Sequence, residues 1–123
     1  MELKDYFMDT YAIIEIIKGN KNYSKFLNSN LHTSFLNLYE LYYILLKDYG
    51  EVIAEKYFYR FKQNVVKIDD FSIFEASKFK LANNRRSLSY VDALGYAISL
   101  NRKILFLTGD KEFKDMKNVE FVK

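Results

Sequence analysis

A chain of 123 residues, half of them apolar and 28% charged, fits one folded domain spanning residues 1–123, with room for a single sizeable core. The lack of cysteine removes disulfides, thiol nucleophiles and thiolate metal sites and fits a reducing cytoplasm, while one histidine, His32, is too few for a multi-histidine metal site or a Ser-His-Asp hydrolase. The net charge of +3 permits a polyanionic partner without requiring one, and no apolar run approaches the roughly 20 residues of a membrane span.

No basic-then-apolar leader opens the chain, since Met1 is followed by Glu2, Lys4 and Asp5. Tyr6, Phe7 and Met8 predict a first strand that stops at Asp9 and Thr10. Ala12, Ile13, Ile16 and Ile17 then recur at helical spacing until Gly19 and Asn20. Asp9 is placed to cap that helix through a backbone N–H, and equally to stand at a strand's carboxyl end; the two roles are compatible. Residues 21–30 are polar and read as a short helix and loop, and residues 31–35 as a second strand. His32 there reads as an ordinary polar residue beside a strand.

Residues 36–46 spell a helix that is apolar nearly all round. Its strongly polar members, Asn37 and Glu40, are three apart, which suits a capping box with Glu40 reaching back to the N-cap amide. The other reading is an acid carried into apolar surroundings for its chemistry. Residues 51–62 alternate apolar and charged faces as an amphipathic helix does, and a third strand is expected over 65–68. Asp69 and Asp70 suit capping of a helix over 71–82 better than metal ligation. Asn83, Asn84, Arg85 and Arg86 make a basic connector, either solvated or in contact with phosphate.

The stretch 89–113 organises the rest. Residues 90–100 are apolar or small apart from Asp92, and a buried acid is costly unless paired, hydrogen-bonded or holding a cation. Gly95 inside this helix allows close packing. Residues 104–107 form an apolar run suited to a strand buried on both faces, followed at once by Thr108, Gly109 and Asp110. A short edge strand over 119–122 completes the pattern. Strands alternating with helices define an α/β domain with a mainly parallel sheet, in which function gathers past the carboxyl ends of strands.

Four acids stand out: Asp9 and Asp110 follow apolar strands, while Glu40 and Asp92 interrupt apolar helices. Carboxylates gathered in a low dielectric repel and take up protons, a conflict that a hard divalent cation resolves. Oxygen ligands without His or Cys point to Mg²⁺ or Mn²⁺, and to hydrolysis of a phosphodiester by an ion-activated water.

At Phe7-Met8-Asp9-Thr10, Ser34 through Asn37 to Glu40-Leu41, 88–94 around Asp92, and 107–113 around Thr108-Gly109-Asp110, the chain resembles the PIN (PilT N-terminus) domain family, in particular its small VapC-type toxins. These motifs span nearly the whole chain in the family's order. The resemblance implies a three-layer α/β/α sandwich and a Mg²⁺- or Mn²⁺-dependent ribonuclease. It carries the acidic ligand role to Asp9, Glu40, Asp92 and Asp110, a nearby hydroxyl to Thr108, and supporting places to Thr10 and Asn37. It implies a homodimer and an antitoxin whose C-terminal segment fills the site; the substrate read for such a ribonuclease is single-stranded or looped RNA, whose unpaired bases are open to stacking. Glu112 departs from the aspartate often found there and stays outside the core set. A non-catalytic module of the same fold, binding RNA or protein, is the competing reading. A phosphoacceptor receiver domain would need adjacent acids after the first strand, and Asp9-Thr10 does not supply them.

Overall fold

Asp5–Met8 forms β1, and the alternation of its side chains sets the layers of the molecule. The computed structural model describes residues 3–123; Met1 and Glu2, where the reading of no leader begins, lie outside the described residues. β1 pairs in parallel with β2 (Asn30–His32) on one side and β3 (Leu105–Thr108) on the other, and β3 pairs in parallel with β4 (Val119–Phe121). The order is therefore β2-β1-β3-β4, with β4 at an edge as its sequence suggests. Tyr6 stands opposite Leu105, Phe7 opposite Phe106 and Met8 opposite Leu107.

Tyr6, Met8, Leu105 and Leu107 point to one face of the sheet. There they meet Ala12 and Ile13 of α1 (Thr10–Ile17), Leu38, Leu41 and Leu45 of α2 (Phe35–Tyr49), and Phe61 of α3 (Glu51–Lys62). Phe7 and Phe106 point to the other face, stacked at 6.0 Å between centroids, beneath α5 (Tyr90–Arg102) with α4 (Asp70–Ala82) beside it. Burying each such ring contributes about 2–3 kcal/mol. Gly95 lets α5 come this near: a Cβ there would lie 2.7 Å from the Phe7 ring and 3.2 Å from Phe106. The architecture is the expected α/β/α sandwich.

Two expectations are corrected. β2 ends at His32 because Ser34 caps α2, its Oγ accepting from the Asn37 N–H, so Phe35 becomes helical rather than the end of a strand. The strand expected over 65–68 reduces to a single bridge between Thr33 and Val65. The Val66 N–H donates to the Thr33 carbonyl at 2.9 Å, and the chain then leaves for Asp69, which caps α4 by accepting from the Ser72 N–H at 2.8 Å. Val66 and Ile68 pack under α4 and α5 instead of extending the sheet. The short helix expected after α1 is present as a 3-10 helix, Lys21–Asn28, and its Tyr23 and Phe26 belong to the core. The Tyr23 hydroxyl donates to the Val122 carbonyl at 2.5 Å, tying this helix to the end of β4.

Gly50 joins α2 directly to α3 at φ 92° and ψ 176°, a conformation essentially confined to glycine. No helix among the described residues is long and apolar enough to cross a membrane.

From β1 the chain moves outward to β2 on one side and later returns to β3 on the other. The strand order reverses between β1 and β3, so a crevice opens beyond their carboxyl ends. Asp9 follows β1 there, and Thr108, Gly109 and Asp110 close and follow β3.

Candidate acid site at the strand ends

Asp9 is the N-cap of α1 as well as the first residue past β1. Its Oδ1 accepts from the Ala12 N–H at 2.8 Å, and its Oδ2 accepts from the Thr108 hydroxyl. The carboxyl is 3% exposed. Burial pushes its pKa from 3.8 up to about 7; the bonds from Thr108 and Ala12 oppose that rise, while the charges of Asp92 and Asp110 add to it.

Thr108 is fully buried at the end of β3 and works in both directions. It donates to Asp9 and accepts from the Asp110 N–H at 3.0 Å. One hydroxyl thus fixes the spacing of two acids that are a hundred residues apart in sequence. Asp110 in turn caps the 3-10 turn Lys111–Phe113, its Oδ1 accepting from the Glu112 N–H at 3.0 Å. Glu112 contributes backbone here: its N–H goes to Asp110, and its carbonyl accepts from the Arg86 guanidinium at 2.7 Å. The basic connector is thereby tied through Arg86 to the turn that follows the site.

Asp92 is half-buried in the first turn of α5, in a reciprocal capping box with Ser89. Its Oδ2 accepts from the Ser89 N–H at 2.9 Å, and the Ser89 Oγ accepts from the Asp92 N–H at 3.0 Å. Burial raises the Asp92 pKa; the Ser89 bonds resist, and the charges of Asp110 and Glu40 push it further up.

Glu40 lies one turn beyond Asn37 on α2 and is half-buried. Of the two readings open for it, the capping box does not form, because Ser34 is the N-cap and Asn37 holds the third position. The Asn37 side chain accepts from the Ser34 hydroxyl at 2.6 Å and donates to the Thr10 hydroxyl at 3.1 Å. This buried relay of Ser34, Asn37 and Thr10 clamps the start of α2 against the end of β1. It supports the site from below rather than lining it.

Above the site, Gly109 is covered by the Tyr11 ring, and a Cβ at Gly109 would fall 2.5 Å from the Val122 carbonyl. The Val122 N–H donates to the Thr108 carbonyl at 2.8 Å. Only glycine leaves space for this closure, which holds the loop between Thr108 and Asp110 from the solvent side.

Asp9, Asp92, Asp110 and Glu40 thus share one electrostatic neighbourhood, each raising the pKa of another or being raised by it. Among the described residues the ion pairs are Lys18–Glu15, His32–Asp5 and Lys78–Glu75, so none of the four acids is neutralised by Lys, Arg or His. The donor set is all hard oxygen, of the kind that suits a divalent cation. As the side chains lie, no three His, Asp or Glu groups among the described residues are close enough to hold a metal ion. In this arrangement Asp9, Asp92 and Asp110 each accept from a backbone amide at the start of a helix.

A parallel α/β/α sandwich with carboxylates gathered where its strand order reverses defines the class of this molecule. The family model of the PIN domain matches residues 6–119, and the chain belongs to that family. No curated protein sequence matches it. Among solved structures, the Mycobacterium tuberculosis toxin VapC20, described as cleaving the sarcin–ricin loop, superposes with a TM-score of 0.81 at 17% identity, over 96% of this chain and 99% of that one. VapBC2 from Rickettsia felis, bound to a DNA fragment from its promoter, gives 0.76 at 18% identity over 97% and 99%. A toxin–antitoxin complex from Klebsiella pneumoniae gives 0.71 at 17% identity over 94% and 95%.

Proposed function

We propose that this PIN domain is a Mg²⁺- or Mn²⁺-dependent endoribonuclease that hydrolyses phosphodiester bonds of single-stranded or looped RNA, as the cytoplasmic toxin of a toxin–antitoxin pair. The observation that carries the reading is a set of four neighbouring acids, linked electrostatically through Asp9 and Asp92, with no basic partner among the described residues. Two of them, Asp9 and Asp92, are held above the usual carboxylate range. Such a set is unfavourable by itself and becomes favourable once a divalent cation joins it.

Asp9, Glu40, Asp92 and Asp110 would hold the ion, three of them turning inward from their caps. When bound, Mg²⁺ or Mn²⁺ supplies Lewis acidity and an acidified water at neutral pH. Thr108 orients Asp9 and Asp110 together through its single hydroxyl, and Asp9, whose midpoint without a cation is near 7, would give up its proton as the ion enters. The VapC20 and VapBC neighbours support a toxin that acts on a looped substrate and meets an antitoxin. Tyr39, Tyr43, Phe74 and Leu81 are large apolar side chains left exposed on α2 and α4, which supports docking of an antitoxin or a second copy of the chain there.

The competing reading, a PIN-fold module that binds RNA or protein without cutting, draws on the capping roles that Asp9, Asp92 and Asp110 already fill. One experiment separates the two. Purified protein, free of any bound antitoxin, is incubated with mixed-sequence single-stranded RNA in Mg²⁺, in Mn²⁺ and in chelator, beside Asp92→Asn. The nuclease reading expects cutting that needs metal and falls at least 100-fold in the variant, of the order that removal of a catalytic group costs. Folded protein that leaves the RNA intact under both metals would favour the binding module.

A further inference from the structure

On the outer side of α4 and α5 a groove of about 650 Å³ runs between α4, the last turn of α5 and the loop before β4. Phe79 and Tyr96 pack together in its lining at 4.8 Å between centroids, and Phe71 stands at its side 54% exposed. Three lysines rim it: Lys78 from α4, Lys103 from the end of α5 and Lys117 from the loop. The one carboxylate of the lining, Glu75, lies 3.5 Å from Lys78, and among the described residues Lys103 and Lys117 make no ion pair. The groove is pre-formed, because the Tyr96 hydroxyl donates to the Lys117 carbonyl at 2.7 Å and pins the loop. Lys103 sits at φ 58°, a left-handed conformation that costs a non-glycine residue about 1 kcal/mol and glycine nothing.

The charge of the chain is also unevenly divided. From Lys78 to Lys117 there are nine Lys or Arg against four Asp or Glu, two of the four being Asp92 and Asp110; the remainder of the chain holds ten against twelve. The mild net charge therefore hides a basic stretch that supplies the three lysines of this groove and a slightly acidic remainder that supplies Glu75 and Phe71. Lysines around an aromatic floor are what a sequence-tolerant single-strand site requires: charge tracks the phosphates and a ring face receives a base. Asp92 and Lys103 stand near opposite ends of α5, about 16 Å apart along its axis, so a strand seated on the acids is long enough to reach the groove.

We propose that the α4–α5 groove is an accessory site for the phosphate backbone of single-stranded RNA flanking the bond at the acids, with Phe71 as a stacking face. The inference rests on the ribonuclease reading for the identity of the polyanion. It is tested on the full chain with a labelled single-stranded RNA of about 16 nucleotides, by fluorescence anisotropy in chelator across a salt series, comparing wild type with K78A/K103A/K117A. The variant is expected to bind at least tenfold more weakly, with a slope of log affinity against log salt shallower by about 2. Lys103→Gly alone, which removes the left-handed lysine and folds at least as readily, is expected to lose roughly a third of that slope.

Unchanged affinity and slope in both variants would overturn the proposal, as would wild-type protein that does not bind this RNA at low salt. Displacement of the RNA by a polyglutamate peptide at lower concentration would overturn it in favour of acidic peptides. A change of particle size in the triple variant, read by light scattering without RNA, would overturn it in favour of contact between copies of the chain. Cleavage of an RNA of about 4 nucleotides in Mg²⁺, too short to reach the groove, is read separately. Its absence in wild type counts against the ribonuclease reading, whereas its persistence beside unaltered long-RNA binding counts against the groove alone.

Discussion

Replacing Asp9 by Asn should make the metal-free protein more stable at neutral pH and leave it nearly unchanged in acid. The folded state holds the Asp9 proton to about pH 7, whereas the carboxyl's usual midpoint is 3.8. Between those values the folded chain keeps a proton that the unfolded chain has lost. Stability from this group is therefore complete below the lower value and declines as pH rises through the window. Above the window the accumulated loss is roughly 4 kcal/mol, at about 1.4 kcal/mol for each tenfold change in proton concentration. Asn cannot ionise, so it removes this loss. It still accepts from the Ala12 N–H, but it disturbs the bond that Thr108 donates, at a cost of about 1 kcal/mol. The net expectation is a gain of about 2–3 kcal/mol at pH 8 and a small loss at pH 4. Urea unfolding in chelator at both pH values, for wild type and variant, reads the difference directly. Parallel curves, with the same offset at pH 4 and pH 8, would show that Asp9 is not held protonated, and the electrostatic account of the site would fail with them.

Two further substitutions probe neighbouring features. Thr108→Val deletes the hydroxyl that donates to Asp9 and accepts from the Asp110 N–H; it should destabilise by about 1–3 kcal/mol and raise the Asp9 midpoint further, as carboxyl NMR titration would report. An Asp9 midpoint that stays or falls in that variant would contradict the assigned bond. Gly95→Ala gains up to about 1 kcal/mol of helix propensity but drives a methyl into the Phe7 and Phe106 rings, and overpacking of this kind costs about 1–3 kcal/mol. A net loss in urea unfolding is expected, and equal or greater stability would mean that α5 can move off the sheet at little cost.

Much of this site was legible in the residue order because its acids break local rules. Asp9 ends an apolar strand and Asp110 follows one, and the parallel sheet was enough to bring those two ends together. Asp92 stands out as a charge in an apolar helix, whereas its capping box with Ser89, three residues ahead, emerges only with the structure although the spacing is readable. For Glu40 the sequence leaves two readings open, a box with Asn37 or an acid carried for its chemistry, and the structure removes the first. Asn37 and Glu40 carry the right spacing for a box, but the helix begins three residues earlier at Ser34, which moves Glu40 into the second turn. The strand expected over 65–68 shows the limit of apolar runs: Val66 and Ile68 are buried by α4 and α5, and burial alone does not say whether a segment joins the sheet. Tyr23 and Phe26 were invisible for the converse reason, since two core residues in a polar stretch give no periodicity to detect. The Tyr11 cover over Gly109 has no local signature at all, being a contact between the two ends of the chain.

The bond between Thr108 and Asp9 joins residues near opposite ends of the chain, and β1 cannot acquire its β3 neighbour until residues 105–108 exist. During translation the first acid is therefore made early and remains alone while the intervening helices are synthesised. At ordinary elongation rates that interval lasts roughly 5–20 s. Nascent chains and products of premature termination carry Asp9 and Glu40 without their counterparts, and so lack the assembled acid set. The order of synthesis therefore delays assembly of the acid set until residues 105–110 have been made and β3 can pair with β1.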